Sequence, residues 1–168
     1  MKHHMEFEHL VPFPLERVFA FFANPENLPR IMPASSCAQL IALNRVPPPE
    51  VAGVSSEKAA GVGSSIVTSF RGFAFLPIRR RWVARITEFE WNRYFADVQE
   101  EGPFKRWNHR HEFASAVRDG AGGTRVRDVI DYEVGLGFLG SIANAFFIWP
   151  QMQSTFAERQ RRLTNLLR

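Results

Sequence analysis

Two histidines, an aspartate and a tyrosine occupy positions from which they can share one wall of a folded domain. The segments Trp107–Val117 and Thr124–Val134 both have the alternating composition of β-strands. Because side chains alternate between the two faces of a strand, every second residue of each segment lies on one face. The more apolar faces carry Trp107, His109, His111, Phe113, Ser115 and Val117 in the first segment, and Val126, Asp128, Ile130, Tyr132 and Val134 in the second.

A glycine-rich turn joins these two segments. Asp119–Gly123 reads Asp-Gly-Ala-Gly-Gly, which is a strong signal for a β-hairpin. Closing the hairpin through these five residues brings both apolar faces to the same side of the sheet. The expected neighbours are then His109 with Tyr132 and Phe113 with Asp128.

Three interpretations of this polar group remain open. A buried carboxylate is costly unless it is paired or hydrogen-bonded, and a histidine beside Asp128 would gain a charge partner. His109 or His111 with Asp128 could act as a catalytic acid/base couple, or these side chains could anchor the oxygen atoms of a bound ligand. They could also form an internal network that contacts no ligand.

Metal and nucleotide chemistry are not predicted. His109 and His111 are separated by about 7 Å along a strand, which is long for two ligands of one ion, even with Asp128 as a third. Gly61-Val-Gly-Ser-Ser lacks the further glycine or the lysine of a phosphate-binding loop, and a strand rather than a helix follows it. We therefore expect no metal and no cofactor.

The rest of the chain predicts the elements that must position this wall. A helix is expected from Pro14, because proline suits a first helical turn, and a second short helical turn at Pro25–Met32. The segment Asn44–Gly61, with three consecutive prolines, is expected to be a long loop. Strands are expected at residues 5–11, 37–43, 62–71, 78–89, 93–101, 107–117 and 124–134.

The hydrophobic period becomes helical from Gly140 to the end of the chain. Pro150 should bend this helix, since proline removes one backbone hydrogen bond. The rings beside that bend either line a cavity or belong to the core. The uncharged stretch Val134–Ala157 contains too many glycines and polar residues for a membrane span, so no stable membrane insertion is expected. The side chains proposed for the cavity here are Phe146, Trp149 and Met152.

These elements predict one α+β domain over residues 1–168. A curved antiparallel sheet of about seven strands should wrap around the long C-terminal helix, with two short helices between the first and second strands. A strand meander with one amphipathic helix buries its apolar face by curling around that helix. This leaves room for a cavity, and the surplus of phenylalanine, 16 against 2 Tyr and 4 Trp, could line it.

Charge and cysteine content narrow the classes further. The net charge is +4, and the densest basic cluster, Arg79–Arg81 with Arg85, falls within a predicted strand. This placement favours a solvated strand surface over a nucleic-acid footprint. Cys37 is the single cysteine, and the first residues contain no apolar run typical of a signal peptide. We therefore expect a cytoplasmic protein in which His3, His4 and His9 lie at the surface.

Four short motifs resemble a known superfamily. The element order is similar to that of the START/Bet v 1-like superfamily (SRPBCC, polyketide cyclase/dehydrase-like), and the motifs look like its bacterial cyclase/dehydrase branch. The resemblance implies a helix-grip fold, in a superfamily that includes lipid carriers, hormone receptors and aromatase/cyclases. The motifs are Gly102-Pro103-Phe104, Trp107-x-His109-x-His111-x-Phe113, Asp128-x-Ile130-x-Tyr132 and Gly137-x-Leu139-Gly140.

The expected function is to bind or carry a small hydrophobic molecule, such as a lipid, isoprenoid, polyketide or aromatic compound. One alternative is a cyclase/dehydratase-type enzyme that uses His109 or His111 with Asp128. Another is a protein-interaction module that presents Phe73 and Phe75 or the arginine-rich strand to a protein partner. The predicted ligand-binding residues are Trp107, His109, His111, Phe113, Asp128, Tyr132, Phe146, Trp149 and Met152.

Overall fold

Seven strands form one antiparallel sheet in a computed structural model of the chain. The structure describes residues 2–51, 57–71, 78–118, 121–135 and 144–168. The predicted turn residues Phe73 and Phe75 and the motif at residues 137–140 lie outside these ranges. The strands are β1 (Lys2–Val11), β2 (Gln39–Asn44), β3 (Ser65–Arg71), β4 (Arg79–Glu90), β5 (Tyr94–Glu101), β6 (Arg106–Arg118) and β7 (Ala121–Glu133).

The sheet order is β1-β7-β6-β5-β4-β3-β2, so the first strand pairs with the last. The strands β2 to β7 follow one another as a meander, as the sequence predicted. Register shifts interrupt the pairing of β4 with β5 twice and that of β2 with β3 once. Such bulges bend strands and increase their twist. The sheet therefore curves and leaves a concave face for the helices to cover.

Two short helices follow β1, as predicted. The first, α1 (Leu15–Ala23), begins directly after Pro14 and buries one apolar side against β6 and β7. A 3-10 turn then leads into α2 (Leu28–Ile31), and the Asn24 side chain accepts a hydrogen bond from the Glu26 amide at that junction. The predicted helices and the predicted fold class are thus confirmed.

The C-terminal helix begins differently from the expectation. Asn144–Ile148 form a π-helical turn, and the regular helix α3 extends over Trp149–Leu166. Pro150 lies within the first two positions of α3 rather than in a helix interior. Proline is tolerated there because the first amides of a helix have no helical partner. The helix start predicted at Gly140 lies outside the described residues.

The hydrophobic interior has two parts. One cluster packs α1 and the end of α3 against β6 and β7, and it includes Val18, Phe19, Phe113, Val126 and Leu163. The other packs the middle of α3 against β1, β6 and β7, and it includes Met5, Trp107, Ile130, Tyr132 and Phe156.

The predicted register of the β6–β7 hairpin was wrong by two residues. The pairs are Trp107 with Tyr132, His109 with Ile130 and His111 with Asp128. The pairing continues to Arg118 opposite Ala121. The sequence analysis had assigned five residues to this turn. Because the error is an even number, every side chain remains on its predicted face.

Among the described residues, the structure has no helix that is both long enough and apolar enough to cross a membrane.

We predict that Gly123→Ala lowers the melting temperature, whereas Gly122→Ala does not. A Cβ atom on Gly123 would come within 2.6 Å of the Val11 backbone oxygen, so β1 and β7 would have to move apart. A Cβ atom on Gly122 would meet nothing within 4 Å. We expect a loss of about 1–3 kcal/mol for the first variant and a change below about 0.5 kcal/mol for the second.

Thermal denaturation of both variants measures the difference. Equal melting temperatures for Gly122→Ala and Gly123→Ala would contradict the close β1–β7 packing.

Candidate functional site

A cavity of about 540 Å³ lies between the concave face of the sheet and the helices. Most of its lining is apolar, and the aromatic rings come from both the sheet and the helices. Polar groups on β5, β6 and α3 converge on one part of the wall: Asp97, His109, His111 and Arg159.

The strand β6 positions the two histidines. His109 and His111 are buried on the concave face of the sheet, and the β6–β7 register puts Asp128 directly opposite His111. His109 Nε2 lies 2.9 Å from Asp128 Oδ1 in a hydrogen bond. His111 Nδ1 lies 2.7 Å from the same oxygen, at ion-pair distance but without hydrogen-bond alignment. One carboxylate oxygen therefore serves both imidazoles.

This shared oxygen draws the two rings together. The ring centroids of His109 and His111 are 3.9 Å apart, although their positions along the strand differ by two residues. The two rings therefore lie closer together than their backbone spacing of about 7 Å predicts. The prediction that they are too far apart to bind one metal ion was wrong, because side-chain rotamers bring the rings together. Both rings reach the cavity, while Asp128 lies behind them.

Burial and pairing set the charges of Asp128 and His109. Burial alone would raise the pKa of Asp128, but the adjacent His111 and His109 hold it well below its usual value. Burial, together with repulsion by His111, lowers the pKa of His109 to about 3. Near neutral pH, Asp128 is therefore ionised and His109 is neutral.

Asp97 on β5 is a site residue that the sequence analysis missed. It pairs with His109 across β5 and β6, lines the cavity, and places Oδ2 3.8 Å from His111 Nε2. Burial raises the pKa of Asp97 to about 6, against the opposing effects of His111 and Arg159. The available signal was its shared strand face with Phe95, which lies two residues earlier and is buried.

Arg159 on α3 is the second residue that was missed. No arginine of the C-terminal helix was predicted as a site residue, but the side chain of Arg159 lines the cavity. Its guanidinium carbon lies 4.7 Å from the centre of the Phe156 ring. The available signal was helical spacing, since Arg159 follows Phe156 by three residues and precedes Leu163 by four.

The predicted ligand-binding residues fall into three groups. Trp107, His109, His111 and Met152 line the cavity. Three others are buried away from it. Asp128 lies behind the histidines, Phe113 packs against Phe19 and Phe22, and the Tyr132 hydroxyl donates to Asn144 Oδ1 at 2.6 Å.

Phe146 and Trp149 do not line the cavity. Their residues are 72% and 38% exposed, respectively. The π-helical turn shifts the helical phase, so a different stripe faces the sheet. That stripe contains Ile148, Met152 and Phe156, which follow one another at intervals of four residues and all line the cavity.

The N-terminal histidines are not all surface residues, which corrects another expectation. His3 stacks on Tyr132 with ring centroids 5.1 Å apart, whereas His4 is exposed and bonds Asp131 at 2.8 Å. Both ring nitrogens of His9 are buried without a hydrogen-bond partner in the described part of the chain. Burial lowers the pKa of His9, so this ring is neutral near pH 7.

The arginine-rich strand β4 makes contacts within the sheet. Arg79 donates to Ser69 Oγ at 2.8 Å, Arg81 pairs with Glu101, and Arg85 pairs with Glu100. Arg80 is exposed and lies at the cavity wall. These pairings are those of a solvated strand surface.

The donor set of Asp97, His109 and His111 also matches a metal site in type. One ligand atom from each lies within 4.8 Å of the other two, and a carboxylate with two imidazoles suits several transition metals. However, the guanidinium of Arg159 acts electrostatically on both Asp97 and His109. Its positive charge opposes a cation at this position.

Comparison with known proteins gives a family and a fold. Residues 11–155 match the family model described as polyketide cyclase / dehydrase and lipid transport. The search of curated proteins gave no match.

Several solved structures are similar over almost the whole chain. The protein TTHA0849 of Thermus thermophilus is 19% identical, with a TM-score of 0.64 over 98% of this chain and 97% of that one. Ara h 8.0201 is 10% identical, with a TM-score of 0.62 over 99% and 98%. A point mutant of norcoclaurine synthase from Thalictrum flavum, in complex with a transition-state analogue, is 12% identical, with a TM-score of 0.63 over 99% and 94%.

At these identities the structural matches show the fold, and the family match covers most of the sequence. The chain therefore belongs to the polyketide cyclase/dehydrase and lipid transport family.

Proposed function

We propose that this protein binds a small hydrophobic molecule, such as a lipid, isoprenoid, polyketide or aromatic compound, in the cavity between the sheet and α3. The cavity itself carries the proposal. Its volume of about 540 Å³ falls within the range of about 300–1,000 Å³ that is usual for small-molecule sites. A space of this size with a mostly apolar lining favours an apolar occupant.

Aromatic rings form one wall of the cavity. Trp82 and Trp107 meet edge to face with centroids 5.1 Å apart, and Phe104 packs on Trp107 at 4.9 Å. Rings that hold one another in this way present a large apolar surface with little freedom to lose on binding. The polar side chains adjoin these rings, since the ring centroids of Trp107 and His109 are 6.0 Å apart, and they would orient the ligand.

The comparisons support the same proposal. The family description names lipid transport beside cyclase and dehydrase activities. The structure of norcoclaurine synthase holds a transition-state analogue on a similar fold. Both facts are compatible with a small-molecule site in this chain.

We predict that Ile66→Trp abolishes binding of a neutral apolar fluorophore, N-phenyl-1-naphthylamine, and that Ile41→Trp does not. Ile66 on β3 lines the cavity, so the larger ring would occupy the ligand space. Ile41 on β2 is exposed and does not line the cavity, so the same substitution there is the matched control. Fluorescence titration should show an affinity loss of about tenfold or more for the first variant alone.

Circular dichroism would show whether both tryptophan variants fold. Unchanged probe binding in a folded Ile66→Trp variant, or no binding by the wild type, would contradict a ligand site in this cavity.

A cyclase/dehydratase-type enzyme is the second candidate function, and the position of Asp97 favours it. Asp97, His111, Asp128 and His109 form a chain of side chains that begins at the cavity, and the pKa of Asp97 is about 6. A group with a pKa near neutrality can both accept and return a proton. In a dehydration, Asp97 would accept a proton from the carbon beside a carbonyl and return it to the hydroxyl on the next carbon. The C–H and C–O bonds break, a C=C bond forms, and water leaves.

We predict that Asp97→Asn raises the free energy of unfolding near pH 8 and changes it little near pH 4. The pKa of Asp97 rises from 3.8 to about 6 on folding. The folded state thus holds the proton more tightly, and the stability from this group is lost as the pH rises through about 6. Asparagine cannot ionise, so it avoids that cost, and the gain near pH 8 should be about 1–3 kcal/mol.

Denaturant unfolding at both pH values measures this effect. A loss of stability near pH 8 would show that the carboxylate of Asp97 has a structural role. If a screen of β-hydroxy ketones reveals dehydration, followed by the absorbance of the conjugated product, the same variant should remove that turnover. Asp128→Asn is a poorer test, because breaking the buried contacts of Asp128 should cost about 3–5 kcal/mol.

A further inference from the structure

The side chain of Arg159 extends from the middle of α3 toward the sheet. It lines the cavity beside Thr155 and Phe156. Its guanidinium lies against the Phe156 ring, at 4.7 Å from the ring centre. An aromatic ring attracts a guanidinium without using its N–H groups, which remain able to donate hydrogen bonds to another partner.

The guanidinium of Arg159 has no anionic partner within 4.0 Å and donates no hydrogen bond in the described ranges of the chain. Two other arginines differ in this respect. Arg161 pairs with Glu158 at 2.6 Å on the same helix, and Arg127 pairs with Glu6 and Glu112, each at 2.7 Å. Burial lowers the pKa of Arg159, yet an arginine remains charged inside proteins. Within the described residues, the five donor N–H groups of this cation therefore have no hydrogen-bond acceptor.

The nearest carboxylates do not satisfy this cation. Asp128 already contacts both imidazoles through Oδ1, so its carboxylate is directed at the histidines rather than at Arg159. Asp97 acts on Arg159 electrostatically, but the two side chains form no ion pair within 4.0 Å. An acceptor from a bound molecule would complete the hydrogen bonding of Arg159.

We propose that the ligand is an apolar carboxylic acid whose carboxylate pairs with the Arg159 guanidinium while its apolar body packs on the aromatic wall of Trp82, Phe104 and Trp107. This inference rests on the proposed ligand binding and adds the chemical class of the ligand. A carboxylate matches the two parallel N–H groups of a guanidinium, so it fixes both the position and the orientation of the ligand. The polar part of the wall then binds the carboxylate, and the aromatic part binds the apolar body of the ligand.

The acid could be aliphatic or aromatic, and the experiment has one arm for each. Decanoic acid is compared with 1-decanol, and 2-naphthoic acid with 2-naphthalenemethanol, by displacement of N-phenyl-1-naphthylamine near neutral pH, where both acids are ionised. Each pair differs only in the carboxylate. The proteins are the wild type, Arg159→Gln, and Arg161→Gln, which removes the same charge from an exposed position of α3.

The wild type should bind at least one acid about tenfold or more tightly than its alcohol. Arg159→Gln should weaken binding of that acid by about tenfold or more and change binding of the alcohol by less than about threefold. Arg161→Gln should resemble the wild type. Arg159→Lys, which keeps the charge without the planar fork, should retain part of the preference.

Equal affinity of the wild type for acid and alcohol would overturn this inference. So would an equal loss of acid and alcohol binding in a folded Arg159→Gln variant, because the arginine would then only shape the cavity. If the neutral probe binds but no acid is preferred, the ligand site stands and its acidic class is wrong. If neither the probe nor any of the four compounds binds to the wild type, the proposed function fails as well.

Discussion

The contact of Asp128 with two histidines determines how the centre of this molecule is arranged. The carboxylate lies in the sheet interior, where an ionised group is tolerated only with close partners. One of its oxygens, Oδ1, contacts both imidazoles, and both imidazoles belong to the neighbouring strand β6. A register slip of one residue would move Asp128 to the solvent face and leave the histidines without it. The polarity of the cavity wall therefore depends on the register in which β6 pairs with β7.

The cavity follows from the curvature of the sheet and from the position of α3. Bulges in β4 and β2 bend the sheet, and α3 packs into the concave side through Phe156 and Leu163. Between them the wall changes character, from tryptophan and phenylalanine rings to the polar group on β5, β6 and α3. A ligand that matches both parts can adopt only one orientation. This is the geometric basis of the binding proposal and of the assigned ligand class.

Local sequence patterns were sufficient to predict the fold and the faces of the strands. Alternation placed His109, His111 and Asp128 on one side of the sheet, whatever the exact register. The register itself depended on the length of the turn, which composition does not reveal, since glycines occur both in the turn and at the start of β7. Asp97 and Arg159 belong to no motif, and only the packing of β5 and α3 brings them to the histidines. Phe146 and Trp149 were wrongly predicted to line the cavity, because the π-helical turn shifts the helical phase and uniform helical spacing does not anticipate such a turn.

Each hydrophobic cluster contains residues that line the cavity and residues that do not. Val11, Val18, Phe19, Val126 and Leu163 of the first cluster are almost fully buried and do not contribute to the lining. The lining includes Phe21, Ala23, Ile31 and Phe95 of the first cluster, and Trp107 and Phe156 of the second. Much of the hydrophobic burial that stabilises the fold thus lies away from the cavity. Because the five almost fully buried core residues do not line the cavity, substitutions in the cavity wall can change ligand specificity among relatives without unfolding the protein.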